Sequence, residues 1–282
     1  MSAPTAVLFD VPGPKARVRH GALGVVAVIV VAALLAFIVV RLAATGQFDA
    51  AVWEWILYEN IQLALLDGLL NTLRAFALGA VLALVFGAVF ALGRLSDHAW
   101  LRGVSTAVVE FFRAIPLVVL MFIFYFGMPS VGVTVSTFTA VVAGLTLYNG
   151  SVLAEIFRSG VQAVPRGQSE AAYALGMRKS GVMRFVLLPQ AVRSMLPTIV
   201  SQLVVLLKDS ALGFLILYPE LLYQARLLGS SGQLGRPLLP VAFVVALVYI
   251  TLCLLLAALA SYLERRSRRS PVAAPVLADD GA

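Results

Sequence analysis

The chain has 282 residues, of which 61% are hydrophobic and only 12% are charged, and its formal net charge is +7. A soluble domain of this length needs far more charged residues to cover its surface, so the composition excludes one and predicts a membrane protein. The only cysteine, Cys253, cannot form an internal disulfide and has no partner with which to build a metal site.

Six apolar stretches are long enough to cross a bilayer core, which takes about 20 residues per helix. We therefore predict an all-α membrane protein with six transmembrane helices. In chain order, the helices lie at about residues 21–41, 68–93, 103–128, 137–160, 194–217 and 238–263.

The third and fourth predicted helices are separated by turn residues rather than by charge. No charged residue occurs from Ala114 to Ala154, which is too long a stretch for one helix, and Met128–Gly132 supplies the proline and glycine at which it divides. The first apolar stretch, residues 22–40, is longer than a signal-peptide core, so we expect a retained helix there.

Basic residues predict the orientation of these helices. Fifteen of the 21 lysines and arginines lie in the two tails, in the second-to-third loop, or in and beside the fourth-to-fifth loop. The loop after the first helix is acidic instead. Because cytoplasmic loops carry an excess of lysine and arginine, we predict that both termini are cytoplasmic. This distribution favours a topological cause of the positive charge, and no nucleic-acid partner is expected.

The fourth-to-fifth loop, at about residues 164–190, has the pattern of a short helix rather than of a linker. Ser169 is a plausible cap, and Glu170 would lie in the first turn, where a negative charge suits the helix dipole. Arg178 and Lys179 would lie in the last turn, where positive charge suits it. The sequence therefore predicts a helix of about ten residues. Its small residues, which would let another surface approach closely, are Ala171, Ala172 and Ala174.

The same loop resembles the cytoplasmic signature loop of ABC importer permeases. The matching pattern is Glu170-Ala-Ala, three residues, Gly176, nine residues, Val186, one residue, and Leu188-Pro189. The family prefers isoleucine where this chain has Val186. The resemblance implies a coupling helix that docks into a groove on an ATPase subunit. The residues that it implicates in ATPase coupling are Glu170, Ala171, Ala172, Leu175, Gly176 and Arg178.

Four further segments resemble the polar amino-acid permeases within that family. They are Gly68–Leu73, Val109–Leu117, Ala154–Gly160 and Leu207–Leu212, and the family more often has Gly-Thr where this chain has Ala114-Ile115. The resemblance covers about residues 65–263 and implies the transmembrane domain of a type I ABC importer. Residues 7–17 resemble the start of an actinobacterial glutamate-importer permease, and many relatives lack the first helix.

The predicted organisation follows from these comparisons of segments. We expect a cytoplasmic tail at residues 1–20, an extra N-terminal helix at 21–42, the permease core at 65–263, and a disordered tail at 264–282.

The resemblance also implies a transport subunit rather than an enzyme. No GxxxxGK[ST] motif occurs, so the energy must come from a partner. We expect a cytoplasmic ATPase dimer, which uses ATP and magnesium, together with an extracellular substrate-binding protein and a second permease subunit, which in this family is often a different chain. The chain itself is expected to bind no cofactor or metal and to lie in the plasma membrane of a bacterium, where it imports polar amino acids, with glutamate as the first candidate.

Polar residues inside the predicted helices are candidates for the substrate path. Asn149 lies near the middle of the fourth helix, and Lys208 and Asp209 lie in the fifth. An ionisable group in the membrane usually faces a cavity or a partner. A path through these three residues competes with simple hydrogen bonding between helices.

A second group of charges suggests a gate or a structural ion pair. Glu110 and Arg113 lie in the third helix near Pro116, which should weaken or kink it. Glu155 and Arg158 are three residues apart on the fourth helix and can pair on one face.

Two other classes of protein stay open at this point. A secondary transporter, driven by an ion gradient, would need internal repeats, and none is evident in the sequence. A membrane enzyme would need convergent His, Asp or Cys groups, and the two histidines, His20 and His98, have no companion at ligand spacing.

Overall fold

The computed structural model describes residues 13–268, and within that range it contains helices and their connections but no strand. The α-helices, in chain order, are α1 (Pro14–Ala44), α2 (Ala50–Trp53), α3 (Glu59–Arg94), α4 (Ala99–Ala114), α5 (Leu117–Phe122), α6 (Thr137–Gln162), α7 (Arg166–Ala174), α8 (Lys179–Gly181), α9 (Leu188–Asp209), α10 (Leu221–Gly229) and α11 (Leu238–Arg268). Residues 1–12 and 269–282, and with them most of both predicted tails, lie outside the described range.

Five helical stretches in this range are long and apolar enough to cross a membrane, and one bent pair of helices brings the number to six. The six predicted spans therefore correspond to helices of the structure. Their bounds differ most at the start of the fifth span, which lies at Lys179 rather than at 194, and α3 begins nine residues before the predicted start at 68. The five straight stretches are Lys15–Ala44, Glu59–Arg94, Thr137–Gln162, Lys179–Ile216 and Leu238–Tyr262.

The third predicted span is not a continuous helix. Its two halves, Ala99–Ala114 and Leu117–Val131, meet at an angle of 96°. The break lies at Ile115, whose φ of −90° and ψ of 126° are extended, because the residue before a proline is pushed out of the helical region. Pro116 therefore breaks the span that we predicted it would kink.

The fifth span also departs from its prediction. It starts earlier, as Lys179 leads through a π-helical turn at Val182–Leu187 into α9. Pro189 occupies the first turn of α9, and Pro197 lies inside the helix. Proline suits the first turn because the N–H groups of that turn have no acceptor within the helix. The N–H that proline lacks is therefore not needed there.

The chain divides into two units, the first ending at Ile56 and the second beginning at Leu57. In the first unit, α1 begins at Pro14, within the predicted tail, and its apolar side chains are exposed, as a lipid-facing helix requires. The indole of Trp53 donates a hydrogen bond to the carbonyl of Gln47 at 3.0 Å and so fixes α2 to the preceding turn.

In the second unit, α3 and α6 cross closely because glycines lie at their contact. A Cβ on Gly87 would lie 2.8 Å from the Cβ of Leu153, and one on Gly150 would lie 2.9 Å from the ring of Phe86. Small residues let helix backbones approach in a bilayer, where lipid tails remove the hydrophobic drive for association. This crossing forms the centre of the buried core, with α9 packed beside it.

A hydrogen-bonded group, here called the carboxylate cluster, connects α3, α10 and α11. It comprises Thr72, Tyr218, Glu220 and Tyr249. The carboxylate of Glu220 is buried and accepts hydrogen bonds from the backbone N–H groups of Leu222 and Tyr223 and from the hydroxyl of Tyr249 at 2.7 Å.

The hydrogen bonds around this cluster account for the polar residues Asn71 and Thr72 near the start of the apolar part of α3. Thr72 accepts a hydrogen bond from the N–H of Leu221 at 3.1 Å. The neighbouring Asn71 donates to the carbonyl of Pro219 at 3.0 Å, and its own carbonyl accepts from the hydroxyl of Tyr218 at 2.8 Å. The segment Gly68–Leu73 thus holds the turn before α10.

The close crossing predicts that Gly87→Ala destabilises the protein. The added methyl would also lie 3.1 Å from the backbone nitrogen of Ala154, so the helices must separate, and overpacking of this kind costs about 1–3 kcal/mol. The thermal midpoint of the detergent-solubilised protein should fall by roughly 2–4 °C for each kcal/mol. Gly103→Ala is the matched control, since a Cβ there has nothing within 4 Å. Equal midpoints for the two variants would contradict the packing argument.

Candidate functional site

The predicted coupling helix exists as α7, but it lies earlier in the chain than expected. It starts at Arg166, after Pro165, so Ser169 lies inside the helix and donates to the carbonyl of Arg166 at 2.7 Å instead of capping it. Glu170 accordingly lies in the middle of α7 rather than in its first turn. Arg178 lies beyond the end of α7, outside the predicted last turn.

Gly176 closes the turn that ends α7 at Ala174. Its φ is +76°, a left-handed conformation that glycine adopts without strain. The N–H of Gly176 donates to the carbonyl of Tyr173 at 2.9 Å, and the N–H of Met177 donates to the carbonyl of Ala172 at 3.2 Å. These two bonds form a Schellman motif, which satisfies the last carbonyls of the helix.

One face of α7 and the turn after it are open to solvent. Ala172 is buried and attaches the helix to its own domain, so it can shape a docking surface but cannot contact a partner. Leu175 is 83% exposed, which is unusual for leucine at the end of a polar helix. The other predicted coupling residues that are exposed are Glu170, Ala171, Gly176 and Arg178.

Side-chain contacts hold the loop against neighbouring elements. The amide of Gln190, in the first turns of α9, donates to the Gln168 side chain of α7 at 3.3 Å. Lys179 pairs with Asp97 in the connection between α3 and α4. The hydrogen bond from Lys179, and then its charge, hold the pKa of Asp97 below its usual value.

Three polar residues of α6 and α9 form an amide network in the membrane-spanning region. Asn149 is fully buried, and its carbonyl oxygen accepts a hydrogen bond from Gln202 at 2.7 Å. Its amide nitrogen donates to a carboxylate oxygen of Asp209 at 3.3 Å. The network, named here by Asn149, Gln202 and Asp209, brings together two of the three predicted path residues.

Lys208, the third predicted path residue, lies outside the amide network. Its side chain is exposed, and it forms no ion pair with any described residue. Gln202 was missed in the sequence, although a glutamine within the apolar stretch 194–217 was a usable signal. Its partner could not be inferred, because Asn149 lies 53 positions away.

A second polar group, the charge cluster, consists of Arg94, Glu110, Glu155 and Arg158. The predicted pair on α6 forms: Arg158 donates from Nη2 and Nε to the two carboxylate oxygens of Glu155, the second bond measuring 3.2 Å. Arg158 also donates to Gln162 at 2.6 Å. The pair is thus held by two hydrogen bonds rather than by charge alone.

The cluster also includes Arg94, which the sequence indicated only as one of the basic residues of the second-to-third loop. Arg94, the last residue of α3, lies 2.9 Å through Nη1 from an oxygen of Glu155 and 3.7 Å through Nη2 from an oxygen of Glu110. Arg113 is exposed and belongs to no ion pair in the described range, although its charge acts on Glu155.

An apolar cavity between α3, α6 and α9 is distinct from both polar groups. Its volume is about 310 Å³, and every side chain that lines it is apolar, Leu92, Phe157 and Met195 among them. It offers no hydrogen-bonding group to the charged ends of an amino acid, and we do not assign it to the substrate path.

Comparison with known families gives one match over most of the described chain. The model of the binding-protein-dependent transport system inner membrane component family matches residues 83–269. The matched stretch extends from α3 to the end of α11 and includes α7, the amide network and the charge cluster.

Individual relatives are similar over a wider part of the chain. The glutamate transport system permease protein of Corynebacterium glutamicum is 44% identical over 80% of this chain and 84% of that protein. The probable glutamine ABC transporter permease protein of Bacillus subtilis is 35% identical over 76% of this chain and 98% of that protein. A crystal structure of an amino acid ABC transporter with histidines is 32% identical, with a TM-score of 0.67 over 73% of this chain and 94% of that chain.

Proposed function

Because the chain belongs to the family of inner membrane components of binding-protein-dependent transport systems, we propose that it carries glutamate into the cell. Whatever its substrate, the chain is a permease subunit of an amino-acid ABC importer, and ATP is hydrolysed on a separate subunit. This membership decides against the ion-gradient-driven transporter and the membrane enzyme. The assignment to glutamate is supported by the 44% identity to a glutamate permease.

The force of ATP binding would enter through α7. Three residues, Ala163–Pro165, connect α6 to α7, so a displacement of α7 acts directly on a membrane-spanning helix. The exposed Leu175 would insert into a groove of the ATPase, while Glu170 and Arg178 would contact its polar rim. Two such loops, one from each permease subunit, would approach each other when the ATPase dimer closes. Import would then be a change between two conformations, biased by ATP at one site and by the amino acid at another.

The amide network would form the substrate path. The carboxylate of Asp209 suits the ammonium group of an amino acid, and the amides of Asn149 and Gln202 suit its carboxylate. Glutamate carries a second carboxylate, and the exposed ammonium group of Lys208, on the adjacent position of α9, is a cation that could compensate it. Polar side chains in a span are costly unless they have partners or a function.

The remaining subunits complete the proposed importer. A second permease, which we propose is a different chain, would form the other half of the path. An extracellular binding protein would deliver the amino acid, and both termini of this chain would lie in the cytoplasm with α7.

The assignment to glutamate predicts a pattern of competition. Labelled glutamate should enter proteoliposomes that contain this chain with its second permease, ATPase and binding protein, and excess glutamate or aspartate should block that uptake. Glutamine and histidine should block it weakly, because they lack the second carboxylate. Stronger competition by glutamine than by aspartate would contradict the acidic substrate and leave the coarser function intact.

The substrate path predicts that Asn149→Ala lowers uptake. The change removes both bonds of the amide, and loss of a hydrogen bond to a charged group costs about 1.5–3 kcal/mol, or about 10- to 150-fold in rate. The ATPase should still co-purify. Ser201→Ala is the control, since this exposed α9 hydroxyl bonds only to the carbonyl of Pro197. Unchanged uptake would exclude the path, and parallel loss of uptake and ATPase would favour bonding between helices.

The geometry of α7 predicts that Gly176→Ala uncouples ATP hydrolysis from uptake. Alanine at a φ of +76° costs about 1–2 kcal/mol and loosens the Schellman motif. We expect more ATP hydrolysed per glutamate imported, measured on reconstituted importer. Gly167→Ala, within α7, is the matched control, since neither glycine has a neighbour within 4 Å and only Gly176 has a positive φ. Equal coupling in the two variants would show that the end of α7 does not transmit force.

A further inference from the structure

Arg94 is buried between two carboxylates on different helices. Its side chain is 9% exposed. Arg94 is the last residue of α3, whereas Glu110 belongs to α4 and Glu155 to α6. It therefore lies where three helices meet, next to the end of α6 that leads into α7. Arginine suits such a position because its charge persists and its planar donors can serve two acceptors.

The hydrogen bonds of this arginine are incomplete. Nε and Nη1 are buried and have no partner in hydrogen-bond geometry among the described residues. The near oxygen of Glu155 already accepts from Nε of Arg158. A buried donor without a well-aligned hydrogen bond is unfavourable. The charge of Arg94 is compensated in this state, but its donors are not.

Glu110 is the second carboxylate paired with Arg94, and it faces Nη2 rather than Nε or Nη1. Its side chain is 64% exposed, and its oxygen lies 3.7 Å from Nη2 of Arg94. A charge-assisted hydrogen bond needs about 2.7–2.9 Å, so a relative movement of α3 and α4 by about 1 Å would close it. Glu155 would stay paired with Arg158 after such a movement.

The mechanical connections of the cluster favour such a movement. Asp97, three residues after Arg94, pairs with Lys179 in the segment that follows α7. Glu155 is on α6, which leads into α7 from the other side. A displacement of α7 therefore acts on both the arginine and one of its two carboxylates.

We propose that Arg94 is a positioning residue that shifts between two carboxylates during transport, held more closely by Glu155 in the present state and by Glu110 in the other. The proposal rests on the proposed ATP-driven import, since the exchange is driven through α7. If the cluster had a purely structural role, Glu110→Gln would change the stability of the protein and leave the coupling of ATP hydrolysis to uptake unchanged.

The test uses Glu110→Gln in the reconstituted importer. Glu155→Gln removes the carboxylate that two arginines share and is unsuitable, because it risks loss of the fold. We expect Glu110→Gln to keep ATPase co-purification and the KM for glutamate, and to raise the ATP hydrolysed per glutamate imported roughly 3- to 30-fold. Arg94→Lys, which keeps the charge but loses the planar donors, should give a smaller change in the same direction.

Glu59→Gln is the matched control, because this exposed carboxylate lies at the opposite end of α3 and should leave coupling unchanged. Wild-type coupling in Glu110→Gln would overturn the exchange, and so would loss of folded protein, which would show a structural role. Failure of the unmodified chain to bind an ATPase would instead refute the proposed function.

Discussion

The close crossing of α3 and α6 is the contact on which the polar features of the membrane domain depend. Gly87 and Gly150 bring the two backbones together at positions where a single methyl group would not fit. Asn149 is adjacent to this contact on α6, and Glu155 lies one and a half turns beyond it. The crossing therefore sets both the depth of the amide network and the distance from Arg94 to Glu155. In a bilayer such packing must come from shape, since burial against lipid contributes little.

The three polar groups differ in how completely their hydrogen bonds are made, and this difference indicates which parts can move. The carboxylate cluster is closed: Glu220 accepts from two backbone N–H groups and from Tyr249. The charge cluster at the other end of α3 is open, because two buried donors of Arg94 make no well-aligned hydrogen bond with the described residues. A buried donor that lacks a hydrogen bond raises the free energy of the present arrangement and so favours another one. A group whose hydrogen bonds are all made resists rearrangement. Movement is thus expected near α7, and rigidity near α10.

The sequence predicted the number of spans and a short helix in the fourth-to-fifth loop, because both depend on composition and local pattern. It predicted the limits of α7 wrongly. Ser169 and Arg178 fit the capping rules, but Pro165 and the left-handed Gly176 set the ends of the helix. Pro116 was recognised as a disturbance, yet an angle of 96° depends on what the two halves pack against. Gln202 lies 53 positions from Asn149, and Arg94 lies 61 positions from Glu155, and no local rule reaches so far.

In the proposed function, substrate choice and energy transfer are separated along α6. The amide network lies at Asn149, the charge cluster at Glu155 and Arg158, and the connection to α7 follows Gln162. At 1.5 Å per residue, about 20 Å separates Asn149 from Gln162. A rigid helix can pass a displacement over this distance, and the glycine contact lies between its two ends. The relatives named for glutamate and glutamine fit this division, because a change of substrate then requires no change in α7.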